Sequence, residues 1–134
     1  MGTSRRLGIL AWTSVAIIMI AGCSRIQTVD LASRPTDADS MRDLAYSVAS
    51  DAGCEHVEWL GDKENARSFT CERSDERGTA DIMAATEVAP LDEQAAYLDS
   101  LNVPYVRGQY YLVTVPINRA LTAAPLDEFS AGAS

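Results

Sequence analysis

Ala52-Gly53-Cys54-Glu55-His56-Val57-Glu58-Trp59-Leu60 is where the chain changes its hydrophobic period. Before it, Met41, Leu44, Ala45, Val48, Ala49 and Ala52 recur at the spacing of one helical stripe. After it, Val57 and Trp59 alternate with His56 and Glu58, which is the period of a strand. Gly53 stands at the junction as a left-handed helix cap, so a helix ends and a sheet begins within two residues. Upstream, Thr36 can cap that helix, Asp39 completes a capping-box pattern three residues later, and Asp37 places negative charge in the first turn.

Downstream, Phe69 and Cys71 alternate with Ser68 and Thr70 across Arg67 to Arg73. With Glu55 to Leu60 this predicts a hairpin around the polar loop Gly61-Asp62-Lys63-Glu64-Asn65. Ser74 to Gly78 is a second charged turn, and Thr79 to Val88 reads as a third strand with Ala80, Ile82 and Ala84 on one face. Leu91, Ala95, Leu98 and Leu101 mark a second helix, stopped by Asn102 and Pro104. Val103 to Val106 and Tyr110 to Val115 are strand-like around the turn Arg107-Gly108-Gln109. The expected class is α+β: a small antiparallel sheet of four to five strands with two helices on one face. Residues 36–116 form this domain in the sequence reading. Residues 117–134, Ala-rich and ending Ser130-Ala131-Gly132-Ala133-Ser134, read as a frayed helix turn and a low-complexity disordered tail.

The first six residues carry Arg5 and Arg6 and no acid, and Leu7 to Ala21 is an uncharged run. A charged start, an apolar run and the small pair Ala21-Gly22 have the anatomy of a secretory signal. The run falls short of the ~20 apolar residues that span a bilayer. Ile20-Ala21-Gly22-Cys23 resembles the lipobox of bacterial lipoproteins, with Ile20 where Leu is commonest. That resemblance implies cleavage after residue 22 and fatty acylation of Cys23, with the protein held on the extracytoplasmic face of the cell membrane, or on an outer membrane if the host has one. Ser24-Arg25 and the residues to Pro35 then read as a flexible tether, residues 23–35. Ser4-Arg5-Arg6 matches a twin-arginine export signal only in part, and the general secretory route is favoured.

Among 134 residues there are 11 basic and 19 acidic side chains, for a net charge of −8. Loss of Arg5 and Arg6 with the leader leaves nine bases against the same nineteen acids, so the exported part is more acidic still. Such a body does not seek nucleic acid or an anionic surface. With Cys23 claimed by lipid, Cys54 and Cys71 are an even pair in an exported chain and read as a disulfide.

His56 is the only histidine and reads as an ordinary surface residue: no G-x-S-x-G turn accompanies it. One His and two oxidised cysteines do not make a zinc site, and Asp62-Lys63-Glu64-Asn65 lacks the spacing of a calcium loop. The sequence thus indicates no metal, no cofactor beyond covalent lipid, and no catalytic residue. Trp59, Tyr105 and Tyr110 are the candidate binding surface, because an exposed aromatic face suits a peptide, a glycan or a partner protein. The arrangement of a helix ending in Cys, a strand Cys and a late aromatic strand resembles small secreted lipoproteins of actinobacteria over residues 36–116. The functional expectation is a non-enzymatic binding or assembly module of the cell envelope. The alternatives are a small-ligand or cell-wall sensor, a phage-type superinfection-exclusion lipoprotein and, last, an enzyme.

Overall fold

The computed structural model describes residues 26–130. The signal segment, Ile20, Ala21, Gly22, the Cys23 lipidation site and residues 131–134 lie outside the described residues.

Helix α1 (Ala38–Ala52) is followed by strands β1 (Glu55–Lys63), β2 (Ala66–Glu72) and β3 (Thr79–Ala85). Helix α2 (Ala89–Ser100), strands β4 (Tyr105–Arg107) and β5 (Tyr111–Thr114), and a 3-10 turn (Ile117–Arg119) complete the order. All five strands pair antiparallel in the order β1-β2-β3-β5-β4. The class is α+β with one disulfide, as the sequence indicates.

Local chemistry explains the boundaries. Asp37, not Thr36, caps α1: its side chain accepts from the Ser40 amide, and the Ser40 side chain accepts in return from the Asp37 amide. Ser at the third position therefore plays the part expected of Asp39. Gly53, at φ 71°, ends the helix in the left-handed conformation. The β1–β2 loop is shorter than expected, with Lys63 pairing Ala66 and Asn65 adopting φ 61°. Gly108 has a specific reason: a Cβ there would overlap the Tyr111 ring.

The layering differs from expectation. Phe69, Ile82, Val113 and Val106 are register partners and share one face of the sheet, while Ser68, Met83, Leu112 and Arg107 share the other. On the first face lies α1, whose Tyr46 ring meets Phe69 edge-on at 6.0 Å and whose Ala38 carbonyl accepts from Arg67. Helix α2 lies on the opposite face, with Asp92 accepting from Arg107 at 2.9 Å and Asp99 from the Tyr105 hydroxyl at 3.2 Å. The two helices therefore sandwich the sheet instead of sharing one side. Both faces of β3 are apolar enough to need cover: Ala80, Ile82 and Ala84 on one, Met83 and Ala85 on the other, all buried.

The ends are also better fastened than their composition suggests. The Val29 amide donates to Ser47 Oγ at 3.0 Å, Arg34 Nε donates to the Thr86 carbonyl at 2.9 Å, and Pro35 is buried. The described part of the expected tether thus runs along the domain. At the C-terminal end the helix turn expected from Ile117 is the 3-10 turn Ile117–Arg119, and the residues after it pack on the domain. Leu126 and Phe129 are buried, and Tyr111 donates to the Ser130 carbonyl at 2.6 Å. The Arg73 side chain, 0% exposed, meets Glu128 at 2.6 Å and also donates to the carbonyls of Ala124 and Pro125. A guanidinium withdrawn from water needs such a full set of acceptors, and only the tail supplies them.

Cys54 and Cys71 are joined with a Cα–Cα separation of 5.6 Å, stapling the end of α1 to β2. Closing a loop of 17 residues stabilises by about 3 kcal/mol on the chain-entropy account. Replacing both cysteines by Ala is expected to lower the unfolding free energy by about that amount. Urea denaturation of the double variant reads this, and an unchanged midpoint would contradict it.

Burial alone would raise the Glu128 carboxyl, but the Arg73 hydrogen bond and the charges of Arg73 and Arg77 outweigh it and hold the pKa below the ordinary value. A depressed folded-state pKa gives stability that is present above the unfolded value, ~4.3, and lost as pH falls through the folded one. Glu128→Gln is expected to cost about 3 kcal/mol at neutral pH, by leaving Arg73 buried without its counter-charge. The gap between variant and wild type should close in strong acid. Denaturation at the two pH values measures both, and equal stability at neutral pH would mean that the tail is not held by this pair.

Candidate functional site

The three aromatic residues singled out from the sequence are not brought together. Trp59 is 60% exposed on edge strand β1, opposite Phe69 and so on the α1 face. Its indole donates to Asp62 at 2.9 Å, and Arg67 donates to the same carboxylate at 3.0 Å. Tyr105 lies on β4, at the far edge and on the other face, and its bond to Asp99 raises the phenol pKa above the usual range. Tyr110 is half-buried beneath the Arg34 guanidinium, 5.7 Å from its ring centre. Trp59, Tyr105 and Tyr110 thus lie on separate parts of the sheet's surface and do not form one patch. His56 is an exposed residue at a β1 register shift, 3.2 Å from Glu72.

A different site emerges from the layering. Helix α1 covers β1, β2 and β3, whereas α2 covers only β3, β5 and β4. On the α2 side the floor of β1 and β2 is left open, and Leu60 is 54% exposed there. The step from covered to uncovered sheet forms a groove along α2 with lobes of about 610, 180 and 440 Å³. Gln94 of α2 lines all three. One end is built by the β1–β2 turn with Pro90 and Tyr97, the middle by Leu60, Ser68, Met83 and Leu112, and the other end by Pro116 and Ile117. The lobes fall in or near the size range of small-ligand and peptide sites.

Asp81 is on the floor of this groove. By register it stands between Thr70 on β2 and Thr114 on β5. Partial burial raises its carboxyl pKa above the usual value, and the nearby Thr70 hydroxyl, which donates to the Ala80 carbonyl at 3.3 Å, offsets part of the rise. Among the described residues no cation pairs with Asp81, whereas Arg42, Arg67, Arg73, Arg77 and Arg107 are each paired with an acid. The groove's rim is acidic, with Glu64, Glu87 and Glu93 against Lys63. A second cleft of about 470 Å³, lined by Arg77, Asn118 and Arg119, is partly committed because Arg77 holds Asp127 and Glu128.

Sequence reading passed over Asp81. The signal was present as a single carboxylate within Ala80-Asp81-Ile82-Met83-Ala84-Ala85, a strand otherwise apolar on both faces. An acid there is costly unless it meets solvent, partners or a ligand. No three His, Cys, Asp or Glu side chains among the described residues are grouped so as to hold a metal ion. The chain matches no family model, no curated protein and no solved structure.

Replacing Thr70 by Val removes the hydroxyl beside Asp81 that offsets part of the effect of burial, so the Asp81 pKa is expected to rise further above its wild-type value. Carboxyl-carbon NMR titration measures it directly. A fall, or no change, would mean that Thr70 does not bear on this carboxylate.

Proposed function

We propose that this protein is a lipid-anchored binding module on the extracytoplasmic face of a cell membrane, engaging a partner of the cell envelope through the groove beside α2. The groove is the observation that carries the binding half of this reading. It is a built concavity in which Ser68, Asp81 and Gln94 offer hydrogen-bonding groups between apolar flanks at Leu60, Tyr97 and Ile117. This mixture suits recognition of an extended ligand, with polar groups fixing orientation and apolar contacts supplying area. The anchoring half is supported by the Ile20-Ala21-Gly22-Cys23 sequence and by the Cys54–Cys71 bridge, which fits an oxidising compartment. More than one acyl chain on Cys23 would hold the protein firmly, whereas a single chain binds a bilayer only marginally.

Metabolic labelling with an alkyne fatty acid, followed by membrane flotation, tests the anchor. The full chain expressed in a bacterial host is expected to take up label and float with membranes. Cys23→Ser is expected to lose the label and accumulate as the longer precursor. Label retained by that variant, or no label on the wild type, would overturn the anchored reading.

A further inference from the structure

The geometry points to an extended, cationic polypeptide segment as the occupant of the groove, with a lysine or arginine side chain seated on Asp81. This deepens the binding reading above and rests on it. Three observations lead to the same ligand chemistry.

The first is shape. Helix α2 is 12 residues long, about 18 Å at 1.5 Å per residue. A ligand lying along it in extended form spans that length with five or six residues at ~3.3 Å each. The two larger lobes occur at the ends of this track, and the smaller lobe at Leu60, Ser68 and Met83 lies between them. Alternate side chains of a strand-like ligand point the same way and could enter successive lobes.

The second is charge. Four acids, Glu64, Asp81, Glu87 and Glu93, line the groove, and Lys63 is the base among its lining residues. Glu58, the register partner of Thr70, adds an exposed acid to the same face of the open sheet. An anionic ligand is opposed by this field and a cationic one is drawn into it.

The third is the state of Asp81 itself. Asp62 holds Arg67, Asp92 holds Arg107 and Glu128 holds Arg73, while Glu55 and Glu58 on β1 are exposed to water. Asp81 is partly withdrawn from water between two threonines, and among the described residues no cation lies within ion-pair distance of it, Lys63 lining the same lobe without pairing to it. A ligand ammonium or guanidinium would supply the missing charge in a site where water screens it less than at the surface. Neutral glycans would gain nothing from that charge, and Tyr97 is the one aromatic ring lining the groove on which a sugar could stack.

Fluorescence anisotropy on the full chain, purified in detergent, tests this with three labelled probes of similar length: an alternating Lys-Thr peptide, an alternating Glu-Thr peptide, and a β-1,4-linked N-acetylglucosamine oligomer. The Lys-Thr peptide is expected to bind at least tenfold more tightly than either other probe, and to weaken as salt is added. Asp81→Asn keeps shape and removes the charge, and should weaken Lys-Thr binding at least tenfold. Asp75→Asn, the same change of net charge in the remote Ser74–Gly78 turn, should alter it less than twofold. Circular dichroism on both variants confirms that they remain folded. Equal weakening by the two variants would reduce the effect to net charge and overturn the proposal. Preference for the oligosaccharide would overturn the cationic occupant but leave the groove as a binding site. Binding of no probe would overturn the proposal while leaving the anchor to the Cys23 labelling experiment.

Discussion

Strand β3 must be covered on both faces, and the rest of the architecture follows from that constraint. Ala80, Ile82 and Ala84 point to one side and Met83 and Ala85 to the other, and all five are buried. An antiparallel strand with one wet face would alternate polar and apolar residues, whereas this one is apolar on both sides from Ile82 to Ala85, with Thr79 and Asp81 polar on the α2 face. Two elements are needed to close it, and the chain supplies α1 before the sheet and α2 after β3. Each helix packs mainly on three of the five strands. Helix α1 takes the β1-β2-β3 half on its side and α2 takes the β3-β5-β4 half on the other. The uncovered quarter beneath β4 and β5 is filled by the C-terminal segment, through Leu126, Phe129 and the Tyr111–Ser130 bond. The remaining quarter, over β1 and β2 beside α2, is left open and becomes the groove.

This offset explains why some parts were legible in the sequence and others were not. Helix α1 was plain because Met41, Leu44, Ala45, Val48 and Ala49 trace one stripe and Gly53 ends it. The hairpin was plain because Val57 and Trp59, then Phe69 and Cys71, keep period two. Periodicity reports that a residue is inside, however, and not which layer lies over it. The assignment of α2 to the opposite face depends on pairings such as Arg107–Asp92 and Tyr105–Asp99, which no local pattern encodes. The C-terminal segment was misread for a related reason. Its anchors, Leu126 and Phe129, are isolated apolar residues in an otherwise small and polar stretch, and their value comes from a distant partner, the buried Arg73. The aromatic residues misled in the opposite direction: Trp59, Tyr105 and Tyr110 are spread over both faces and both edges of the sheet, each engaged locally.

The same offset links fold to function. Edge strand β1 is interrupted by register shifts near His56 and at Leu60, and carries Glu55, Glu58, Asp62 and Lys63. Such irregularity and charge discourage edge-to-edge pairing with another sheet. The open face beside it keeps its hydrogen-bonding groups accessible and is rimmed by acids. The disulfide at the end of α1 fastens that helix to β2 on the side of the sheet opposite the groove and leaves the groove's face free for contact. Pre-organisation of this kind reduces the ordering cost that binding must overcome.

The most direct test of the account is to map where a ligand lands. Amide chemical shifts of the labelled protein, recorded while the Lys-Thr peptide is titrated in, report this residue by residue. The account predicts that the largest changes cluster at Leu60, Ser68, Asp81, Gln94 and Thr114, with little change along α1. Changes centred instead on the Arg77 and Arg119 cleft, or on the Trp59 edge of the α1 face, would contradict it and move the site elsewhere on the sheet.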